Sequence, residues 1–166
     1  MPDSQLRIGR HSEAHRAYFV TTTLDDRKQR YFADFQCARL IVKEMRVLHE
    51  TGDVNSIAWV IMPDHIHWLF QLTENKSLSE VMKYFKARSA HRVNSYLGRK
   101  GRLWQNAFHD HAIRKDEDIK AIARYIVANP IRAGLVEHIG DYSLWDAIWL
   151  QGCNVDMWAR IHSRAE

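Results

Sequence analysis

The chain has 166 residues, 46% of them apolar and 27% charged, a composition typical of a folded globular protein that excludes a disordered, collagen-like or disulfide-rich chain. Its length suits one domain, expected over residues 1–166, with a core at about 17–148 and a tail at 149–166 whose role the sequence does not indicate. Two cysteines, no secretion signal at the start and no apolar run of about 20 residues predict a reduced, cytoplasmic protein without a membrane span.

The formal net charge of +4 is unevenly distributed along the chain. Between Lys76 and Arg102 there are eight basic residues and one acid, Glu80, so this segment carries +7 and the remainder −3. A concentrated positive charge predicts a polyanionic partner. The alternative interpretation is a solvated helix face that binds nothing.

The first half of the chain predicts a strand, a helix and a hairpin. Residues Ala17–Leu24 are rich in β-branched and aromatic side chains, as strands are. Apolar residues spaced by three and four over Asp34–Glu50 predict an amphipathic helix. Val54–Met62 and His65–Leu72 then predict two strands around a short Pro-Asp break, which indicates an antiparallel hairpin.

A longer helix and a fourth strand follow the hairpin. Ser77 and Glu80 have the spacing of a capping box, which places the start of a helix there. The helix is expected to run to Leu97 and to end at Gly98. After the basic segment, Phe108–Arg114 alternates weakly between apolar and polar residues, as a strand does.

The last predicted element is a helix over about 117–128, capped by Asp116 and closed before Pro130. The aromatic-rich segment after it shows no clear period. The order βαββαβα with mostly antiparallel strands predicts an α+β fold. We expect a ferredoxin-like sandwich, in which helices pack on an antiparallel sheet of about four to five strands.

Two histidines in the third predicted strand are the first candidates for chemistry. His65 and His67 are two residues apart, so in a strand both imidazoles project from the same face. Such a pair can ligate a divalent metal if a third ligand comes from elsewhere; the alternative is two unrelated histidines on a half-exposed strand. His109 and His111 repeat the spacing, but no neighbouring Cys, Glu or third His completes a zinc set, so a nucleic-acid contact or no role fits them better.

A tyrosine and an amide on the last predicted helix are the second candidates. Asn129 follows Tyr125 by four residues, so both lie on the same side of the helix, beside its apolar stripe. The alternative is a partly buried tyrosine and a capping asparagine. A phenol ionises near pH 10 and needs help to attack at neutral pH. A metal on the two strand histidines and Asn129 could bind a phosphodiester oxygen and orient the phosphorus towards Tyr125.

Four motifs, in order, resemble those of the REP-associated tyrosine transposases, domesticated relatives of insertion-sequence transposases that carry a histidine–hydrophobic–histidine motif. The motifs are PDHIHWLF, LSEVMKYFKARSAHRVN, GRLWQNAFHDH and ARYIVANPIRAGLV. The resemblance extends roughly from Tyr18 to Trp145, and the last motif is the most specific. Relatives often have Asn where Asp64 stands, and the segment after Gly140 matches only loosely.

The resemblance implies a ferredoxin-like core, Tyr125 as the nucleophile, and His65, His67 and Asn129 as metal ligands. It implies Mg²⁺ or Mn²⁺ as the cofactor. The implied partner is single-stranded DNA folded into a hairpin of the REP palindrome type, cleaved to a 5′-phosphotyrosine and a 3′-OH. The implied location is the bacterial cytoplasm, with the protein on the nucleoid when DNA is bound. A monomer is expected, and the alternative is a homodimer that exchanges the tyrosine helix.

The basic segment then becomes a candidate DNA cradle. Cationic side chains contact phosphates without reading the sequence, and the rings of Tyr96 and Trp104 could stack on unpaired bases. For Trp104 the alternative is a place in the core, while Arg132 either contacts phosphate or fastens its own turn. The predicted DNA-binding residues are Lys83, Lys86, Arg88, Arg92, Arg99, Lys100, Arg102, Trp104 and Arg132.

Two other functions remain open at this point. A domesticated protein that binds structured DNA or RNA without cutting it would need the same basic segment. A phosphodiesterase that uses a metal-bound water would need His65 and His67 but would form no covalent protein–DNA species.

Overall fold

Five antiparallel strands form the sheet at the centre of the structure, a computed structural model that describes residues 12–148. The strands are β1 Ala17–Thr23, β2 Val54–Met62, β3 His65–Leu72, β4 His109–Ala112 and β5 Trp145–Ala147. Their order across the sheet is β4-β1-β3-β2-β5. The β2–β3 hairpin therefore lies in the middle of the sheet, and both of its strands are paired on two sides.

The helices are α1 Phe35–Glu50, α2 Leu78–Leu97, α3 Ile119–Val127 and the short α4 Asn129–Arg132. The start of α2 is the predicted capping box: the Ser77 hydroxyl accepts from the Glu80 N–H, and the Glu80 carboxylate accepts from the Ser77 N–H. Gly98 ends the helix with a φ of +63°, which glycine adopts at little cost. The predicted α+β class, a ferredoxin-like antiparallel sheet with helices packed on it, is confirmed.

The two faces of the sheet carry different helices. On one face, Ile66 and Trp68 of β3 join the core that includes the inner sides of α1 and α2. On the other face, Leu69 of β3 packs in a second cluster with Ala123 and Ile126 of α3. Each large side chain buried in these clusters stabilises the fold by about 1.5–3 kcal/mol. Alternation along β3 thus decides which of its residues face α3.

A bulge in β2 adjusts this alternation. The pairing register with β3 shifts between Ser56 and Ala58, so one extra residue, Ile57, is inserted. Ile57 and Ala58 consequently both belong to the cluster under α3. Ser56 lies on the other face, where its hydroxyl accepts a hydrogen bond from the Trp68 indole N–H at 2.9 Å.

Three details differ from the sequence-based expectation. The predicted cap at Asp116 is wrong: Asp118 caps α3 by accepting from the N–H groups of Lys120 and Ala121, because Glu117 is held by the Arg114 N–H instead. β4 is shorter than expected. β5 was not predicted at all, since three residues are too few to show a period.

The ends of the expected domain lie outside the described residues, including the tail at 149–166 and residues 1–11. Within the described part of the chain, no helix is both long enough and apolar enough to cross a membrane.

Candidate active site

Strand β3 presents His65 and His67 side by side. Because Ile66 and Trp68 are buried under α1 and α2, the two histidines project from the opposite face, where α3 lies. Their ring centroids are 4.8 Å apart, and the rings meet edge to face with an interplanar angle of 78°. The side-by-side arrangement expected from the spacing is therefore present.

Each histidine has a hydrogen-bonding partner on its Nδ1 atom. Nδ1 of His65 lies 2.6 Å from a carboxylate oxygen of Asp64, and the other oxygen of that carboxylate accepts from the Arg27 guanidinium at 2.7 Å. Nδ1 of His67 lies 2.7 Å from the hydroxyl of Thr21 on β1. With both Nδ1 atoms engaged, Nε2 is the ring nitrogen that each histidine can offer to a metal.

The electrostatic environment suits neutral imidazole. Burial, followed by the charges of His65 and Arg132, lowers the pKa of His67 from 6.5 to about 4. His67 is therefore uncharged at pH 7 and has a free lone pair. For Asp64, burial opposes ionisation, but the hydrogen bonds from His65 and Arg27 outweigh it and lower the pKa of the carboxyl group.

Tyr125, Asn129 and Arg132 form a second group at the junction of α3 and α4. The Tyr125 side chain is 55% exposed. The Arg132 guanidinium lies over its ring, with Cζ 3.8 Å from the centroid, and donates a hydrogen bond to the Tyr125 carbonyl at 2.7 Å. The Asn129 amide NH₂ donates to the Ile126 carbonyl at 2.9 Å, which leaves its side-chain oxygen as the acceptor atom.

The two groups lie on the same side of the sheet. Ala123 and Ile126 anchor α3 on a cluster that contains Leu69 of β3, and Leu69 alternates onto the face shared by His65 and His67. Arg132 is near enough to His67 for its charge to lower the pKa of that imidazole. The helix with the candidate nucleophile therefore packs on the face that carries the candidate ligands.

The donor atoms fit a divalent metal. Two imidazole nitrogens and an amide oxygen are acceptable ligands for Mn²⁺, and the oxygen is the ligand type that Mg²⁺ prefers. Within residues 12–148 no group of three or more His, Cys, Asp or Glu side chains could hold a metal ion. The candidate third ligand therefore remains the Asn129 amide predicted from the sequence.

Two of the predicted DNA-binding arginines form a structural ion pair. The guanidinium groups of Arg88 and Arg92 on α2 both bind Glu44 of α1, at 3.2 Å for Arg88. The Glu44 carboxylate is fully buried, whereas both arginine side chains are more than 40% exposed. They therefore fasten α1 to α2, and the cluster as a whole keeps one net positive charge.

Three more of the predicted cations are tied to neighbouring groups. The Lys86 ammonium donates to the carbonyls of residues 105–107 and so fastens the segment that leads into β4. Arg99 lies over the Tyr31 ring, with Cζ 5.0 Å from the centroid. Arg102 forms an ion pair with Asp25 at 3.6 Å.

Lys83 and Lys100 are exposed and make no hydrogen bond or ion pair within the described residues. Lys83, Lys86 and Arg102 rim a cleft of about 530 Å³ between α2 and residues 101–108.

Trp104 is 3% exposed, and its indole N–H donates to the Ser89 hydroxyl at 2.9 Å. Of its two alternatives, the core position is the one observed, because a buried ring cannot stack on a base.

Among the described residues, the second histidine pair forms no cluster with the first that could hold a metal ion. His111 lies 2.9 Å from both carboxylate oxygens of Glu117. His109 aligns with Thr21 on β1, one strand away from His67. Thr21 itself was missed by sequence analysis, because only the strand register brings it to His67.

A family model and two sequence relatives place the chain in the same family of proteins. Residues 15–129 match the family described as Transposase IS200 like. A REP-associated tyrosine transposase of Haemophilus influenzae is 31% identical, covering 75% of this chain and 76% of its own length. The Escherichia coli REP-associated tyrosine transposase is 30% identical, covering 75% and 72%.

Solved structures agree with the sequence relatives. A REP-associated tyrosine transposase bound to a REP hairpin superimposes with a TM-score of 0.66 at 27% identity, covering 82% of this chain and 79% of the other. A transposase-like protein of Deinococcus radiodurans, at 17% identity and a TM-score of 0.51, shares the fold. The chain therefore belongs to the IS200-like transposase family, among its REP-associated tyrosine transposases, and is an enzyme of that class.

Proposed function

We propose that the protein cleaves and rejoins single-stranded DNA next to a hairpin of the REP type, with Tyr125 as the nucleophile and a divalent metal held by His65, His67 and Asn129. The observation that carries this proposal is the packing of α3, which bears Tyr125, on the sheet face that bears the two histidines. The solved relative bound to a REP hairpin supports the choice of DNA.

The three ligand residues have separate tasks. His65 and His67 supply imidazole nitrogens from a rigid central strand, and Asn129 supplies an oxygen from the start of α4, just after the helix that bears Tyr125. When bound, Mg²⁺ or Mn²⁺ would supply Lewis acidity at a non-bridging phosphate oxygen. A ligand only four residues from the nucleophile, across the junction of α3 and α4, couples the position of Tyr125 to the position of the metal site.

The chemical step proposed for Tyr125 is an in-line exchange of phosphodiester bonds. The phenol oxygen attacks the phosphorus and gives up its proton, the bond from phosphorus to the 3′-oxygen breaks, and that oxygen takes up a proton. The products are a 5′-phosphotyrosine and a free 3′-OH. Because one phosphodiester replaces another, the reverse attack by a 3′-OH rejoins DNA without a further energy source.

Arg132 is proposed to hold the nucleophile. Its guanidinium covers one face of the Tyr125 ring and is fixed to the Tyr125 carbonyl, so it restricts the side chain of a residue that is otherwise exposed. The outer edge of the same guanidinium faces solvent and offers donors to the phosphate next to the cleaved bond. Both alternatives raised for Arg132, phosphate contact and turn fastening, are compatible in this arrangement.

DNA contacts are proposed for the exposed cations of α2 and the following segment. Lys83 and Lys100 support this proposal most strongly, because neither forms an ion pair with an acid within the described residues. Arg88, Arg92, Arg99, Lys86 and Arg102 contribute to the positive potential while also fastening the fold. A monomer is proposed as the active species.

A labelled REP-type hairpin with a single-stranded extension tests the reaction. In Mn²⁺, wild-type protein is expected to give a labelled band that survives denaturing electrophoresis, and EDTA or His65→Ala is expected to abolish it. Tyr125→Phe is the matched control, since it removes only the hydroxyl. An adduct of equal yield with Tyr125→Phe would exclude Tyr125 as the nucleophile.

The binding-only alternative rests on the same basic surface and predicts a different outcome. Hairpin binding would then survive both EDTA and Tyr125→Phe, and no denaturant-resistant band would form on any hairpin. A phosphodiesterase would cleave the DNA equally well with Tyr125→Phe and would leave no covalent species.

A further inference from the structure

Asp64 links the candidate ligand His65 to an arginine from another part of the chain. One oxygen of its carboxylate lies 2.6 Å from Nδ1 of His65, and the other accepts from the guanidinium of Arg27 at 2.7 Å. The side chains of Asp64 and His65 are only 18% and 16% exposed, whereas that of Arg27 is 61% exposed. The result is a chain of three groups that runs from the surface to the ligand.

The backbone around Asp64 is held by the same segment of the chain that contains Arg27. The Leu24 N–H donates to the Asp64 carbonyl at 2.9 Å, and the Phe32 N–H donates to the Pro63 carbonyl at 3.0 Å. Both donors belong to the connection between β1 and α1, as does Arg27. The tight turn between β2 and β3 is therefore fixed in position by a neighbouring segment, and the Asp64 carboxylate cannot easily leave His65.

The partners of the two histidines differ chemically. A carboxylate only accepts hydrogen bonds, so Nδ1 of His65 must carry a hydrogen, and in the neutral ring Nε2 then carries the lone pair. The Thr21 hydroxyl beside His67 can either donate or accept, so it does not fix which nitrogen of His67 is protonated. Of the two histidines, only His65 therefore has a partner that fixes the hydrogen on Nδ1.

We propose that Asp64 is a positioning residue that holds His65 in its Nδ1–H tautomer with Nε2 free for the metal, and that Arg27 holds Asp64 in place. This inference rests on the proposed metal site, but it makes a statement about the metal-free protein that can be tested separately. A partner carboxylate on a ligating histidine fixes the orientation of the ring and increases its basicity.

Nitrogen chemical shifts of the histidine rings in the metal-free protein test the tautomer directly. At neutral pH in EDTA, His65 is expected to show a protonated Nδ1 and an unprotonated Nε2. Asp64→Ala should shift His65 towards the Nε2–H form, and Asp64→Asn, which keeps an acceptor oxygen, should shift it less. Thr21→Val is the matched control, expected to alter His67 and leave His65 unchanged. A wild-type His65 that is mainly Nε2–H would overturn the proposal.

Mn²⁺ affinity, measured by electron paramagnetic resonance of the free ion, supplies the second readout. Asp64→Ala is expected to weaken Mn²⁺ binding by about 10- to 100-fold, with a smaller loss for Arg27→Gln. Wild-type affinity in Asp64→Ala would contradict the positioning role. Mn²⁺ binding that is unchanged by His65→Ala would instead contradict the proposed metal site, so the two failures are distinguishable.

Discussion

At the scale of single residues, the site combines a buried neutral imidazole with an exposed phenol. His67 is uncharged at neutral pH because burial and nearby charges lower its pKa to about 4. Tyr125 is open to solvent but is covered on one ring face by Arg132. The proposed chemistry requires a histidine ligand for which the metal does not have to compete with a proton. It also requires a nucleophile that a large substrate can reach.

The lowered pKa of His67 predicts a pH dependence of stability. Between about pH 4 and pH 6.5 the unfolded chain binds a proton at this residue and the folded protein does not, so the free energy of unfolding rises with pH across that window. The rise is expected to reach up to about 3 kcal/mol. Urea unfolding in EDTA at a series of pH values measures it, and His67→Gln should flatten the curve by that amount. Equal slopes for both proteins would contradict the shift.

Removal of the Arg132 guanidinium is expected to slow the reaction more than it weakens DNA binding. Arg132→Gln loses the contact with the Tyr125 ring, which is worth about 0.5–2 kcal/mol and corresponds to a roughly 2- to 30-fold slower formation of the covalent adduct. Single-turnover rates at saturating hairpin give the effect, and Arg132→Lys should recover part of it. If only hairpin affinity falls, Arg132 is a phosphate contact and nothing more.

At the scale of elements, much of the local structure follows from local patterns. The strands β1, β2 and β3 and the helix α2 begin and end within a residue of their predicted bounds, because their periods, caps and turns are encoded nearby. The start of α3 was misplaced by two residues, since Asp116 and Asp118 are equally good caps in sequence and only the tertiary contacts of Glu117 decide between them.

The candidate site was predictable only in part. The paired histidines lie on one strand and could be found from periodicity. The Tyr–Asn spacing could be found in the same way, although the structure ends α3 at Val127 and begins α4 at Asn129. The partners Thr21 and Asp64 depend on strand register and turn geometry, so the sequence did not indicate them. Glu44 lies on the amphipathic helix α1, where nothing in its own segment predicts that two arginines of α2 will bury it.

The Glu44 cluster predicts a stability effect for two residues expected to bind DNA. Replacement of Arg88 and Arg92 together by Met would leave a fully buried carboxylate without its partners and should cost about 3–5 kcal/mol. Lys83→Met on the same helix is the matched control and should cost little. Thermal or urea unfolding gives both values. If the double variant is as stable as wild type, the pairing of the two arginines with Glu44 does not stabilise the fold.

At the scale of the whole molecule, the two faces of the sheet have different roles. The face under α3 holds the candidate histidine ligands, and α3 itself bears the candidate nucleophile. α1 and α2 cover the other face, and α2 carries much of the basic segment. We propose that residues 17–148 form a single folding unit and that the protein acts as a monomer. The segment with a charge of +7 has fewer cations available to bind DNA than its composition implies, because Glu44, Asp53 and Asp25 pair with some of them.

Lysines without acidic partners should therefore dominate the salt dependence of DNA binding. The double variant Lys83→Ala with Lys100→Ala is expected to reduce the slope of log affinity against log salt by about 2, with no loss of stability. Hairpin binding measured at KCl concentrations from about 50 to 300 mM provides the test, because the slope can be read over this range. An unchanged slope would place the DNA elsewhere on the protein.

The covalent bond to Tyr125 is the central claim, and peptide mapping of the adduct tests it most directly. Trypsin cuts after Arg124 and Arg132, so Tyr125 falls in the peptide YIVANPIR, which contains no other tyrosine. After reaction with the hairpin in Mn²⁺ and nuclease trimming, mass spectrometry is expected to find a 5′-linked nucleotide on this peptide alone. A nucleotide on a peptide with a different tyrosine, or cleaved DNA with every tyrosine peptide unmodified, would contradict the account.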